Sequence, residues 1–183
     1  TVDGSVVTGA AISATLCSVG VNPEIALVLA FSGGAFAGVL TALLNTKLKI
    51  QALLAGILVM LGLYSINLKI MGNRSNIALT NNRTIYSDAW HILPGKNSAL
   101  IVDGLILVII ILLFYLFLQT RLGFAIRATG DNEDMVRASG ISSDNMKIVG
   151  MGLSNGLVGL AGGMLAQYQS FADATMGTGM VVI

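Results

Sequence analysis

Charge is sparse in this sequence. Asp, Glu, Lys and Arg make up 10% of 183 residues, against roughly 25% in an ordinary soluble domain. The formal net charge is +1, which offers neither a basic field for nucleic acid nor an acidic field for a cationic partner. Cysteine occurs once, at Cys17 inside an apolar run; an internal disulfide is excluded, and a small buried hydrophobe is the expected role. Histidine also occurs once, at His91 beside Trp90. With no second His and no Cys or carboxylate cluster nearby, it reads as an interfacial residue and not as a metal ligand. The sequence has no GxxxxGK[ST] phosphate loop, no HExxH, no CxxC and no GxSxG, the motifs that would bring nucleotide, zinc, redox or acyl-transfer chemistry. Catalysis within this chain is therefore not expected, and neither is a cofactor or metal.

What the sequence has in abundance is apolar surface, with 55% hydrophobic residues and a mean hydropathy of +0.83. A hydrocarbon core about 30 Å thick needs about 20 residues of helix. Five stretches of that order occur, at 5–21, 25–44, 50–71, 99–118 and 148–168. They predict an all-α, polytopic transmembrane bundle forming one domain over 1–183. The run ALIVDGLILVIIILLFYLFL is apolar around most of its circumference and is expected to face lipid. The other spans carry Gly34 and Gly38, Gly152 and Gly156, Gly159 and Gly163, the small-xxx-small spacing that lets helix backbones approach closely. No basic region precedes the first apolar run, so a cleaved signal is not expected. Both ends fall within ordered-looking sequence, so the chain reads as a fragment of a longer one.

Basic residues orient the spans. Lys47, Lys49, Arg121, Arg127, Arg137 and Lys147 lie in two loops that share a side by parity, against Arg74, Arg83 and Lys96 in the polar loop 72–98. The excess of Lys and Arg places 120–147 in the cytoplasm and 72–98 outside.

The segment 120–147 carries Arg121, Arg127, Asp131, Glu133, Asp134, Arg137, Asp144 and Lys147. At roughly 2.5 kcal/mol per charge near a helix centre, burying all eight in lipid would cost on the order of 20 kcal/mol, so the segment must leave the hydrocarbon. Gly130 and Gly140 bracket about two helical turns, with Asp131 or Asn132 as N-cap and a glycine as C-terminal stop. Glu133 and Asp134 fall in the first turn and Arg137 near the last, as the helix dipole favours. A short surface helix is expected; on these features alone it serves equally as a docking element or as a solvated connector.

The run TRLGFAIRATGDNEDMVRASGISSDNMKIVGMGLSNGLVGLAGGMLAQY resembles the cytoplasmic loop and following helix of permeases of the branched-chain amino-acid and sugar type, membrane subunits of ATP-binding-cassette importers. Arg127, Ala128, Gly130, Asn132, Arg137, Gly140 and Ile141 occupy the places of that family's RA.G.N...AR..GI core, while Asp131, Met135 and Val136 depart from it. Upstream, TVDGSVVTGAA is similar to the family's membrane-embedded DGS...GA element. The resemblance implies a coupling helix formed by Gly130, Asp131, Asn132, Glu133, Asp134, Met135, Val136, Arg137, Ala138, Ser139 and Gly140, with Met135, Val136 and Ala138 offering apolar contact to a partner. It also implies a cytoplasmic ATPase subunit holding ATP and Mg, a second permease subunit, an extracytoplasmic solute-binding protein and a place in the cell membrane.

For the substrate the residues are less informative. Asp3 is an intramembrane acid, and such acids are functional candidates, although it also suits a helix cap. Ser5 is a candidate for the pathway or for helix-to-helix hydrogen bonding, and Tyr64 and Asn67, one turn apart, for a shared cavity or core packing. The DGS form implies an amino acid ahead of a sugar or nucleoside. A secondary transporter driven by an ion gradient is the alternative; it would need ion-coordinating groups at mid-membrane, and Asp3 is the main candidate the spans offer.

Overall fold

The computed structural model describes residues 1–80, 82–92 and 98–177. Helices α1 (Val2–Ser18), α2 (Pro23–Thr46) and α3 (Ala52–Ile70) are followed by a short strand β1 (Asn76–Ala78) and α4 (Ile85–Ile92). Then come α5 (Ser98–Leu118), α6 (Arg121–Asp131), α7 (Glu133–Ala138), the long α8 (Ser143–Gln169) and β2 (Phe171–Asp173). The side chains of Trp90 and His91 lie outside the described residues.

Four helices, α2, α3, α5 and α8, are long and apolar enough to cross a membrane. The first expected span corresponds to α1, but it is Val2–Ser18 and not 5–21. At 1.5 Å per residue its 17 residues cover only about 25 Å. The fifth begins at Ser143, five residues before its expected start, because its polar first turn is already helical. The polar loop 72–98 is not a plain loop, since it holds β1 and α4. Pro23 at the first helical position of α2 has no N–H to leave unsatisfied, which sets that helix start.

The core is made of α1, α2 and α8, and its currency is small residues. Ala10, Ala11, Ala14, Ala26, Ala30, Ala37 and Ala166 are all fully buried. A Cβ on Gly159 would lie 2.6 Å from the carbonyl oxygen of Ala30 and 2.9 Å from Cα of Gly34, and one on Gly9 would overlap the Gly159 carbonyl. Without side chains at these points the three backbones come into direct contact. In contrast α5 meets chiefly α4 and α6, and Ser98 is the one residue along it that is buried among the described residues. A crevice of about 280 Å³, lined by Phe31, Ile110, Leu113, Phe114, Phe117, Leu153, Leu157 and Leu160, separates α5 from α2 and α8. The surface of this crevice is almost wholly apolar.

After α8, Ser170 in the left-handed region (φ 58°) turns the chain. Strand β2 then pairs antiparallel with β1, with Ile77 opposite Ala172. The strand pair lies at the one end of the bundle where α3 and α8 both finish, Leu79 N–H donating to Ser170 O at 2.7 Å and Ala174 N–H to Ser75 O at 2.8 Å.

Candidate functional sites at the membrane surface and in the bundle

The charged interruption folds as two helices, not the single one expected over 131–139. Thr120 caps α6 by accepting from Gly123 N–H at 3.3 Å. Gly130 lies inside α6, not at a boundary. The break falls at Asn132, in extended conformation (φ −154°, ψ 102°). Its N–H closes α6 on Ala128 O at 2.9 Å, and its side-chain Oδ1 accepts from Met135 N–H at 3.0 Å to open α7. This single residue both ends one helix and caps the next. Gly140, at φ +80°, ends α7 in the left-handed conformation, with Ile141 N–H bonded to Val136 O at 3.2 Å as in a Schellman stop.

Glu133 anchors α7 to the first turns of α8. Its Oε1 accepts from Arg137 Nη2 at 2.9 Å and from Ser143 Oγ at 3.0 Å, and its Oε2 from Lys147 Nζ at 2.6 Å. Arg137 also donates to Ser143 Oγ at 2.8 Å and reaches Asp144 at 3.4 Å. Beneath this network Val136 is buried, which corrects the expectation that it offers contact to a partner: it is an internal anchor. Asp131, Asn132, Asp134, Met135, Ala138, Ser139 and Gly140 remain exposed, Met135 to 68%. On α6, Leu122 and Phe124 are exposed as well. The arrangement is an outward-facing surface with apolar points, joined through Glu133, Arg137 and Val136 to the longest helix of the core.

The Lys147 ammonium, then the Ser143 hydroxyl, hold the Glu133 carboxyl below its ordinary value of 4.5. A depressed acid stabilises the fold above its unfolded value and loses that contribution as pH falls through the folded one. Hydrogen exchange of the α7 amides, corrected for intrinsic rates, is therefore expected to show constant protection from pH 7 to about 5 and a loss below about 4.5. Glu133→Gln removes this step; a profile identical to wild type would show that Glu133 does not hold α7.

Of the four candidates inside the bundle, three come together. Asp3, Tyr64 and Asn67 line one cavity of about 40 Å³ with Gly4, Val7, Met60 and Ala174. Asp3 sits within the first turn of α1, whose N-cap position is Thr1, so the cap role does not apply. Its Oδ1 is buried without a hydrogen-bond partner, and so are both Oδ1 and Nδ2 of Asn67, a side chain only 1% exposed. Ser5 points elsewhere: its single O–H is shared between Asn155 Oδ1 at 2.8 Å and Thr1 O at 3.0 Å, joining α1 to α8.

Two polar residues of α8 were missed by the sequence reading. Asn155 receives the Ser5 bond, and Gln167 is a clasp whose Nε2 donates to Ser13 Oγ at 3.0 Å and Pro23 O at 3.2 Å while its Oε1 accepts from Ile85 N–H at 2.9 Å. An Asn and a Gln in an otherwise apolar, glycine-rich span were the available signal, since such side chains bond across helices in membranes.

The family described as branched-chain amino acid transport system, permease component, matches residues 1–183. The tyrosine transport system permease protein of Clostridioides difficile (strain R20291) is 40% identical over 181 residues, covering 99% of this chain and 59% of that protein. The ribose import permease protein RbsC of Escherichia coli (strain K12) is 29% identical over 170 residues, 92% of this chain and 52% of that protein. A probable branched-chain amino acid transport permease protein, LivH, of Methanocaldococcus jannaschii is 26% identical over 180 residues, 92% of this chain and 56% of its own length. The chain thus spans between half and three-fifths of the length of these relatives. No solved structure matches it significantly.

Proposed function

This chain belongs to the permease family of branched-chain amino acid transport systems, a multi-pass protein of the cell membrane, and on that premise we propose that it builds the translocation pathway of an ATP-driven importer. A cytoplasmic ATP-binding-cassette subunit docks on α6 and α7 and supplies ATP, Mg and hydrolysis. A second permease subunit completes the pathway, and an extracytoplasmic solute-binding protein delivers the solute. The observation that carries this reading is the α6–α7 unit: an exposed surface bearing Met135 and Phe124, fixed to α8 through Glu133, so that displacement of the surface must displace a core helix. A solvated connector needs no such attachment.

The transported solute is an amino acid in this reading, supported by the relative of 40% identity named for tyrosine, although a relative named for ribose also aligns with most of the chain.

The test is uptake by the full-length permease reconstituted with its ATPase and binding protein. Accumulation of L-tyrosine or L-leucine is expected with ATP and not with an imposed proton or sodium gradient. D-Ribose should not compete. Uptake that follows a gradient without nucleotide would replace the importer by an ion-coupled transporter, and ATP-driven uptake of ribose alone would reassign the solute.

A further inference from the structure

The cavity shared by Asp3, Tyr64 and Asn67 reaches from Asp3, at mid-depth in the bundle, toward the end where Asn67 lies one turn from the close of α3 and Ala174 bonds to Ser75. Helices α1 and α8 run parallel, Ser5 meeting Asn155 and Ser13 meeting Gln167. At 1.5 Å per residue Asn155 is about 18 Å from the start of α8 and about 21 Å from its end. Gly4 sets the same level on α3, since a Cβ there would lie 3.2 Å from Leu63 Cδ1 and 3.4 Å from Met60 Cα.

Irregular backbone reaches this depth. Beyond β2 the chain turns back into the bundle, where Ala174 lines the cavity and Gly177 packs on the Asp3 carbonyl so closely that a Cβ would overlap it. Non-helical backbone is tolerated at membrane depth only where protein buries it or where it lines a polar cavity. In membrane transport proteins unwound segments of this kind supply carbonyl ligands to ions and polar solutes.

The side chains facing the cavity make a helix-packing role costly. Asn67 is 1% exposed, yet neither end of its amide has a partner, and Asp3 Oδ1 has none either. A carboxylate and an amide oxygen both accept hydrogen bonds, and the amide nitrogen adds a donor whichever way the group is turned. A volume of about 40 Å³ exceeds the roughly 10–15 Å³ that a cavity needs to admit one water. That is room for one small polar head.

We propose that Asp3 and Asn67 seat a small cationic group in the translocation pathway, either the ammonium head of the solute or a free alkali cation. This rests on the permease reading above. Asp3 provides the anionic acceptor, Asn67 the second acceptor, and Tyr64, at the half-exposed edge, borders the way in.

The full-length permease, purified in detergent, is tested with three salts at equal ionic strength: ammonium, sodium and choline chloride. Ammonium or sodium is expected to raise the melting temperature relative to choline, whose quaternary head is too large for the cavity. A larger shift with ammonium assigns the seat to the solute's ammonium, and a larger shift with sodium assigns it to a free cation. Asp3→Asn should abolish the difference and Asn67→Leu should weaken apparent affinity at least tenfold. Equal melting in all three salts, or an unchanged salt effect in Asp3→Asn, overturns the assignment.

Asn67→Leu supplies a second readout. Removing unpartnered buried polar atoms for a side chain of similar size is neutral or stabilising, so the variant without added cation should melt at or above the wild-type temperature while uptake falls at least tenfold. A lower melting temperature with full uptake would show that Asn67 serves packing only. Co-purification of the ATPase separates the two readings: its failure with wild type counts against the importer, whereas retained ATPase with wild-type uptake in both variants counts against the cation seat.

Discussion

Replacing Gly9 by valine is expected to abolish assembly of the bundle, while Gly62→Ala leaves it folded. A Cβ at Gly9 would overlap the Gly159 carbonyl and stand 2.7 Å from Gly159 Cα. Overpacking a side-chain core costs typically about 1–3 kcal/mol, because side chains can shift. Here the opposing atoms are backbone, and Gly159 is itself fixed against Ala30 and Gly34. Relief would require α1 and α8 to separate, breaking the Ser5–Asn155 and Ser13–Gln167 bonds together. The loss should then exceed about 3 kcal/mol, a large part of a net stability of about 5–15 kcal/mol. At Gly62 an added Cβ meets nothing within 4 Å. Monodisperse recovery from detergent and thermal melting decide the matter. A Gly9→Val protein that elutes and melts like wild type would mean that these helices do not meet as described.

Met135→Asp should leave the permease folded and remove its ATPase subunit. Met135 is 68% exposed, and a new surface charge away from special features usually alters stability by no more than about 0.5 kcal/mol. At the centre of a docked surface the same carboxylate is desolvated without a partner, which costs several kcal/mol. At 1.4 kcal/mol per tenfold, a loss of about 3 kcal/mol is roughly a hundredfold in subunit affinity. Met135→Leu keeps the apolar contact and should retain the ATPase. Val136→Asp should behave differently, since Val136 is the buried side chain of α7 and its replacement loosens the permease itself. The measurement is ATPase recovered per permease at matched expression. Equal recovery with Met135→Asp and wild type, with normal transport, would return α6 and α7 to the role of a solvated connector.

These two predictions differ in how far the sequence alone leads to them. The exposed charged segment is legible because eight charges cannot stay in hydrocarbon, and its caps and stop follow local chemistry. Where it divides is not legible. Gly130 looks like a boundary by propensity, yet α6 runs through it, because α6 packs against α8 and Asn132 provides a better break by ending one helix and capping the next. The phase of α7 is equally hidden. In a six-residue helix, which of Met135 and Val136 faces inward depends on where α8 lies.

The solvent, the helical class, the apolar spans, the absence of catalytic motifs and the family are all legible along the sequence. These are local or additive properties: hydropathy is summed over a window, and a motif is read along a line. That Ser5 bonds across to α8 while Asp3, Tyr64 and Asn67 share a cavity, that Asn155 and Gln167 are partners across helices, and that Gly9 must lack a side chain all follow from how the helices pack. Each depends on backbones distant along the chain, such as Ser5 and Asn155, being brought within hydrogen-bond reach. In a membrane the polar atoms have no water to fall back on. Their pairing, or the lack of it at Asn67, is therefore set by which helices touch and not by which residues adjoin in sequence.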